Sequence, residues 1–297
     1  MWRVLAVGLF ATSVACSRRQ PPSMEAAREG GASATPRDRD RDRDRDADGA
    51  RDAGAGRALE GFPAQLELAG KVGVVAVPLG ASRPRPIMIA LHGGSDRPEW
   101  ACNAWRGITA GYPVLVCPHG VGTNEASLAW SSPADTKLRV ARAIAAAKAA
   151  LGSWVLETST VVLVGFSMGA TQAALLARAE PQIYKRLVLA ESAYAPEPAI
   201  AFAKPWAAGG GERAIFLCTT LGCEAPYRNA ARNVARQGAP ARLDIAGTNA
   251  HGMWDAVVQS MRRDWPWLVA DAEGWEAYAP PVEAGALPGK TETFDPP

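Results

Sequence analysis

The chain has 297 residues, 48% of them hydrophobic, and its 32 basic and 30 acidic side chains leave a formal net charge of +2. So even a balance provides no broad field to hold nucleic acid or an anionic membrane surface. The length fits one large α/β domain or two small ones, and only three histidines are available for acid–base chemistry.

The opening Met1-Trp2-Arg3 and the apolar run Val4 to Ala15 read as an export signal over residues 1–16, because one positive charge precedes a segment too short to span a bilayer. Cys16 follows Ser13-Val14-Ala15, which resembles the bacterial lipoprotein box in which the cysteine is lipidated. The small Ser13 and Ala15 suit ordinary signal cleavage equally. Both routes export the protein, either lipid-anchored in the cell envelope or free in the periplasm or medium. Residues 17–61 are rich in Pro, Gly, Ala and charge, with strict Arg-Asp alternation from Arg37 to Asp46. This composition predicts a solvated, disordered linker.

From Phe62 the pattern changes to short apolar runs separated by helical or turn segments. Gln65 to Leu68 and Val72 to Val77 suit an antiparallel hairpin. Ile87 to Leu91, Val114 to Cys117, Val161 to Val164, Leu187 to Ala190, Ala214 to Cys218 and Arg242 to Ala246 suit strands buried on both faces. Asp135 to Leu151, Met168 to Arg178, Pro226 to Gln237 and Met253 to Val269 favour helix through their Ala, Arg and Leu content. Alternation of this kind predicts one α/β domain with a parallel sheet over residues 62–280, followed by a tail over 281–297.

Gly165-Phe166-Ser167-Met168-Gly169 is a G-x-S-x-G pentapeptide, preceded by the strand Val161 to Val164 and followed by the helix from Ala170. A serine on so sharp a strand-to-helix turn sits in a strained backbone conformation and needs small neighbours, which Gly165, Gly169 and Ala170 supply. The region after the linker here resembles the α/β-hydrolase family. The resemblance implies an eight-stranded, mostly parallel sheet wrapped by helices, with nucleophile, acid and histidine arriving in that chain order.

On this reading Ser167 is the nucleophile. Of His92, His119 and His251, the last follows the final predicted strand, where the family carries its catalytic histidine, so His251 is the base. His92-Gly93-Gly94 ends the Ile87 to Leu91 strand and matches the loop whose amides, at Gly93 or Gly94, complete an oxyanion hole with that of Met168. His92 is expected to brace that loop, and His119 to be structural or at the rim. The family's usual position for the acid, Thr219 to Ala225, holds no aspartate. Two carboxylates remain open: Glu191, which ends the apolar strand Leu187 to Ala190, and Glu224, beside Cys223.

With Cys16 set aside for lipid, sequence order pairs Cys102 with Cys117 and Cys218 with Cys223; their intervals match no usual zinc-ligand spacing. Trp100, Trp105, Trp130, Trp206 and Trp254 are candidates either for an apolar acyl pocket or for packing. The expected activity is hydrolysis of a carboxylic ester or related small acyl compound through an acyl-serine intermediate, with no cofactor. A serine peptidase, or an envelope binding protein that kept the fold after losing its acid, is the alternative.

Overall fold

The computed structural model describes residues 58–192, 201–248, 250–283 and 285–297; the expected export signal, Cys16 and most of the expected linker lie outside them. The chain runs through β1 (Gln65–Glu67), β2 (Gly73–Ala76), β3 (Arg85–Leu91), α1 (Pro98–Ile108), β4 (Val114–Pro118), β5 (Val121–Asn124), β6 (Ser127–Ala129) and α2 (Pro133–Leu151). There follow β7 (Val155–Leu156), β8 (Val162–Phe166), α3 (Met168–Ala179), β9 (Arg186–Ala190), α4 (Ala203–Ala208) and β10 (Arg213–Cys218). The last elements are α5 (Glu224–Arg236), β11 (Ala241–Ile245), α6 (Ala256–Val269) and β12 (Lys290–Phe294).

Side-chain alternation along the apolar strands sets the layers. In β3, Ile87, Ile89 and Leu91 enter one hydrophobic cluster while Met88 and Ala90 enter another, as a period of two requires. Strands apolar on both faces need helices on both. Buried residues of α2, α3, α4 and α5 fill the first cluster, and those of α1 and α6 fill the second. No helix among the described residues is long and apolar enough to cross a membrane.

The sheet has the order β1-β2-β4-β3-β8-β9-β10-β11-β12, with β7 also paired to β3. Pairing is parallel from β4 through β11 and antiparallel at β1–β2, β2–β4 and β11–β12. The chain leaves β3 toward β4 on one side and leaves β8 toward β9 on the other. This divergence opens a crevice at the carboxyl ends of β3 and β8, where ligands bind in open α/β sheets.

The sheet has ten strands where the resemblance implied eight; the extra two are β7 and β12. The stretch expected to be a tail contributes β12, which pairs along β11. Its sequence, Lys-Thr-Glu-Thr-Phe, is mostly polar because an edge strand is held largely by backbone pairing and local ion pairs, here Glu292 with Arg228 at 2.6 Å, while Phe294 packs against the first cluster. The structured region also begins before Phe62: Leu59 is buried and its amide donates to Ala81 O. Helix α1 was absent from the predicted elements. Pro98 at its first turn and Glu99 behind it are ordinary start signals, and Cys102 ties it to β4 through a disulfide with Cys117. On the chain-entropy model, closing 15 residues contributes about 3 kcal/mol.

Candidate active site

Four neighbouring strands deliver the site. Ser167 follows β8, Glu191 follows β9, the Thr219–Thr220 connection follows β10, and His251 lies in the connection from β11 to α6. Parallel strands lie about 4.8 Å apart, so residues just beyond their carboxyl ends fall within side-chain reach of one another.

Ser167 has φ 52° and ψ −120°, the strained turn that the pentapeptide predicts. The two glycines are required by contact as well as by conformation. A Cβ on Gly165 would lie 2.3 Å from Gly169 O, and one on Gly169 would lie 2.3 Å from Leu91 O and 2.4 Å from His92 O. The start of α3 is therefore pressed against the end of β3. Gly169→Ala is expected to cost at least about 2 kcal/mol through this overlap, a fall in Tm of roughly 4–8 °C for a domain of this size. Differential scanning calorimetry checks it; an unchanged midpoint would show that the backbone yields freely here.

The structure brings Ser167, His251 and Glu191 into one line. His251 Nε2 lies 3.1 Å from Ser167 Oγ, and His251 Nδ1 lies 3.3 Å from Glu191 Oε2. The imidazole rests on Phe166, with ring centroids 4.7 Å apart, and its side chain keeps 39% of its surface exposed. Glu191 is 1% exposed and takes a left-handed backbone at φ 53°, a second strained residue at a strand end. Its Oε1 accepts the amides of Thr219 and Thr220, the latter at 2.7 Å, and its carboxylate also accepts the Thr220 hydroxyl. Burial alone would raise the Glu191 pKa, but the bonds from His251, Thr219 and Thr220 outweigh it and hold the carboxyl below its ordinary value.

Glu224, the other candidate acid, is not part of this line. The Cys218–Cys223 disulfide ends where α5 begins, and Glu224 sits on that helix facing Arg228 one turn on, 3.4 Å away.

The glycine loop after β3 divides its two amides. Gly93 N–H donates to Asp96 Oδ2 at 3.2 Å and is taken, which corrects its expected place in the oxyanion hole. No acceptor among the described residues takes the amides of Gly94 or Met168. The two residues are neighbours, since a Cβ on Gly94 would lie 3.2 Å from Met168 Cε. His92 is fully buried and braces the loop: Nδ1 donates to Gly93 O at 2.7 Å, and its ring lies 4.7 Å from that of Trp130, whose Nε1–H donates to His92 O. His119 is part-buried, with Nδ1 3.3 Å from Gly120 O, and has no place in the line.

A cleft of about 740 Å³ opens onto Ser167 and His251, walled by α1 on one side and the start of α6 on the other. Trp100 and Trp254 stand on its walls, 54% and 55% exposed, and the buried Trp105 lies beneath. Trp130 and Trp206 are packing residues in the opposite core. Sequence reasoning missed Asp96 and the Thr219–Thr220 amides, because each acts through a loop contact that carries no periodic signal.

No family model matches the chain, and no curated protein matches it significantly. Among solved structures, a carboxylesterase from Mesorhizobium loti is 20% identical, with a TM-score of 0.49 over 70% of this chain and 99% of its own. Est1E from Butyrivibrio proteoclasticus, solved with ferulic acid, is 14% identical, with a TM-score of 0.48 over 66% and 94%. TT1662 from Thermus thermophilus is 15% identical, with a TM-score of 0.47 over 72% and 98%. These likenesses are of fold only. The α/β-hydrolase architecture is carried by this chain's own topology: a mostly parallel sheet, a crevice at its switch point and a tight strand-to-helix turn that presents Ser167 there.

Proposed function

We propose that this protein is an exported serine hydrolase that cleaves a carboxylic ester or related acyl compound through an acyl-serine intermediate. The observation that carries the reading is the relay Ser167 Oγ–His251–Glu191 at the floor of the cleft, with separations of 3.1 and 3.3 Å. Ser167 Oγ attacks the acyl carbon while His251 Nε2 takes its proton, and the same proton passes to the departing alkoxide. Water then attacks the acyl-serine, gives its proton to Nε2, and the acid leaves as Ser167 recovers that proton. Glu191, accepting from Nδ1–H, fixes the tautomer that leaves Nε2 free to accept. The amides of Met168 and Gly94 are the donors assigned to the oxyanion, each worth about 3 kcal/mol in such sites.

The reading as a binding protein rested on a missing acid, and the Glu191 carboxylate 3.3 Å from His251 Nδ1 weighs against it. Export is supported by the two disulfides, which persist in oxidising compartments; the two routes, lipid on Cys16 or plain signal cleavage, are told apart by the mass of the mature N-terminus. For the activity, a fluorophosphonate is expected to label the purified protein once, at Ser167, and short p-nitrophenyl esters to be hydrolysed. A folded protein that neither labels nor turns over would leave the binding role as the better account.

A further inference from the structure

Glu191 reaches His251 from the end of β9, yet its carboxylate is gripped by a different connection. Cys218 closes β10 and Cys223 stands directly before α5, and their disulfide turns residues 218–223 into a ring. Five extended residues would span roughly 17 Å, whereas the two Cα atoms are 5.6 Å apart. Within the ring the successive amides of Thr219 and Thr220 both point at Glu191 Oε1, the arrangement of a backbone anion nest. The Thr220 hydroxyl lies 3.2 Å from Oε1 and 3.1 Å from Oε2, and Cys223 Sγ lies 2.9 Å from Oε1. The same ring touches the connection that carries His251, since Thr248 Oγ1 donates to Thr219 O at 3.2 Å.

Two simpler roles fit less well. The ligand atoms of Glu191, Cys218 and Cys223 lie within 4.8 Å of one another, but the sulfurs are bonded to each other and offer no thiolate to a metal. As a global staple the bond is badly placed, because stabilisation through the unfolded chain grows with loop length and this separation is 5 residues. A short ring does restrict the few residues inside it, and those residues hold the carboxylate.

We propose that the ring 218–223, closed by its disulfide, is a positioning clamp for Glu191, setting the place from which that carboxylate orients His251. Cys218, Cys223 and Thr220 are positioning residues, and the inference rests on the Ser167–His251–Glu191 reading of the site. An open chain of the same residues would let the Thr219 and Thr220 amides swing away, freeing the carboxylate to rotate off Nδ1.

The test is a cycle combining Cys218→Ala/Cys223→Ala with Glu191→Gln, reading kcat per fluorophosphonate-titrated site so that unfolded molecules do not count. The alanine pair is expected to lower kcat about 10- to 100-fold with KM nearly unchanged, and to cost less than about threefold once Glu191 is glutamine. Cys102→Ala/Cys117→Ala, which opens the remote disulfide, should lower the thermal midpoint and leave kcat per site alone in both backgrounds. Thr220→Val, which removes the hydroxyl from Glu191 with the disulfide intact, should lower kcat about fivefold and show the same coupling; it decides the matter if the alanine pair does not fold. Unchanged kcat, or losses that multiply fully in the Glu191→Gln background, would overturn the clamp. A wild-type protein that neither labels nor hydrolyses esters fails the serine-hydrolase reading itself, and the clamp falls with it; an active wild type whose Glu191→Gln variant keeps full kcat shows instead that Glu191 is not the orienting acid.

Discussion

Ser167→Ala is expected to abolish fluorophosphonate labelling and to lower kcat by about 10⁴- to 10⁶-fold, while the fold and its thermal midpoint stay nearly unchanged. The size of the loss follows from chemistry that the remaining groups cannot replace. Without Oγ there is no acyl-enzyme, and what is left is stabilisation by oxyanion donors and binding, which elsewhere amounts to about 10³–10⁴ over water. The small effect on stability has its own reason. The strain at Ser167, φ 52°, belongs to the backbone and is held by the fit of Gly165 and Gly169 and by the amide of Ser167 donating to Ala190 O at 2.8 Å. Alanine keeps that amide and adds no bulk. Circular dichroism and calorimetry beside the kinetics separate the two effects; an alanine variant that still turns over esters at a wild-type rate would move the nucleophile elsewhere and undo the proposed function.

What could be read from the chain beforehand divides along a physical line. Strands β3, β8, β9 and β10 are apolar on both faces, and that demands burial between two helical layers whatever surrounds them. The strained turn was legible because Gly165, Ser167 and Gly169 stand at fixed spacing between a strand and a helix. Glu191 was legible as one of two open candidates, beside Glu224, for a related reason: a carboxylate directly after Leu187-Val188-Leu189-Ala190 must find partners in the core or be expelled from it. By contrast, β12 is mostly polar and is placed by its pairing with β11, by contacts such as Arg228 with Glu292 and by the packing of Phe294 against the core. The Gly93 amide looked available in sequence, and its capture by Asp96 depends on how the loop returns after Gly94. The ring amides that hold Glu191 belong to Thr219 and Thr220, whose side chains give no hint of the role because the donors are main-chain.

Glu191→Gln is expected to lower kcat by about 10²- to 10⁴-fold with a far smaller change in KM, since orienting the imidazole acts on the transition state rather than on substrate binding. The same substitution carries a stability signature that a bystander residue would not have. The folded-state pKa of Glu191 lies below its ordinary value, with burial opposed by the stronger pull of His251 and of the Thr219 and Thr220 amides. A carboxyl held down in this way binds fewer protons folded than unfolded around pH 4, so its contribution is fully present above the unfolded value near 4.3. It is lost as pH falls through the lower folded value. The stability difference between wild type and Glu191→Gln should therefore be largest at neutral pH and shrink as the solution is acidified below about pH 4. Urea unfolding of both proteins at pH 7 and pH 3 measures it. A gap that stayed constant across that range would mean the glutamine merely repacks the pocket, and the ring at 218–223 would then be gripping a side chain whose charge does nothing for His251.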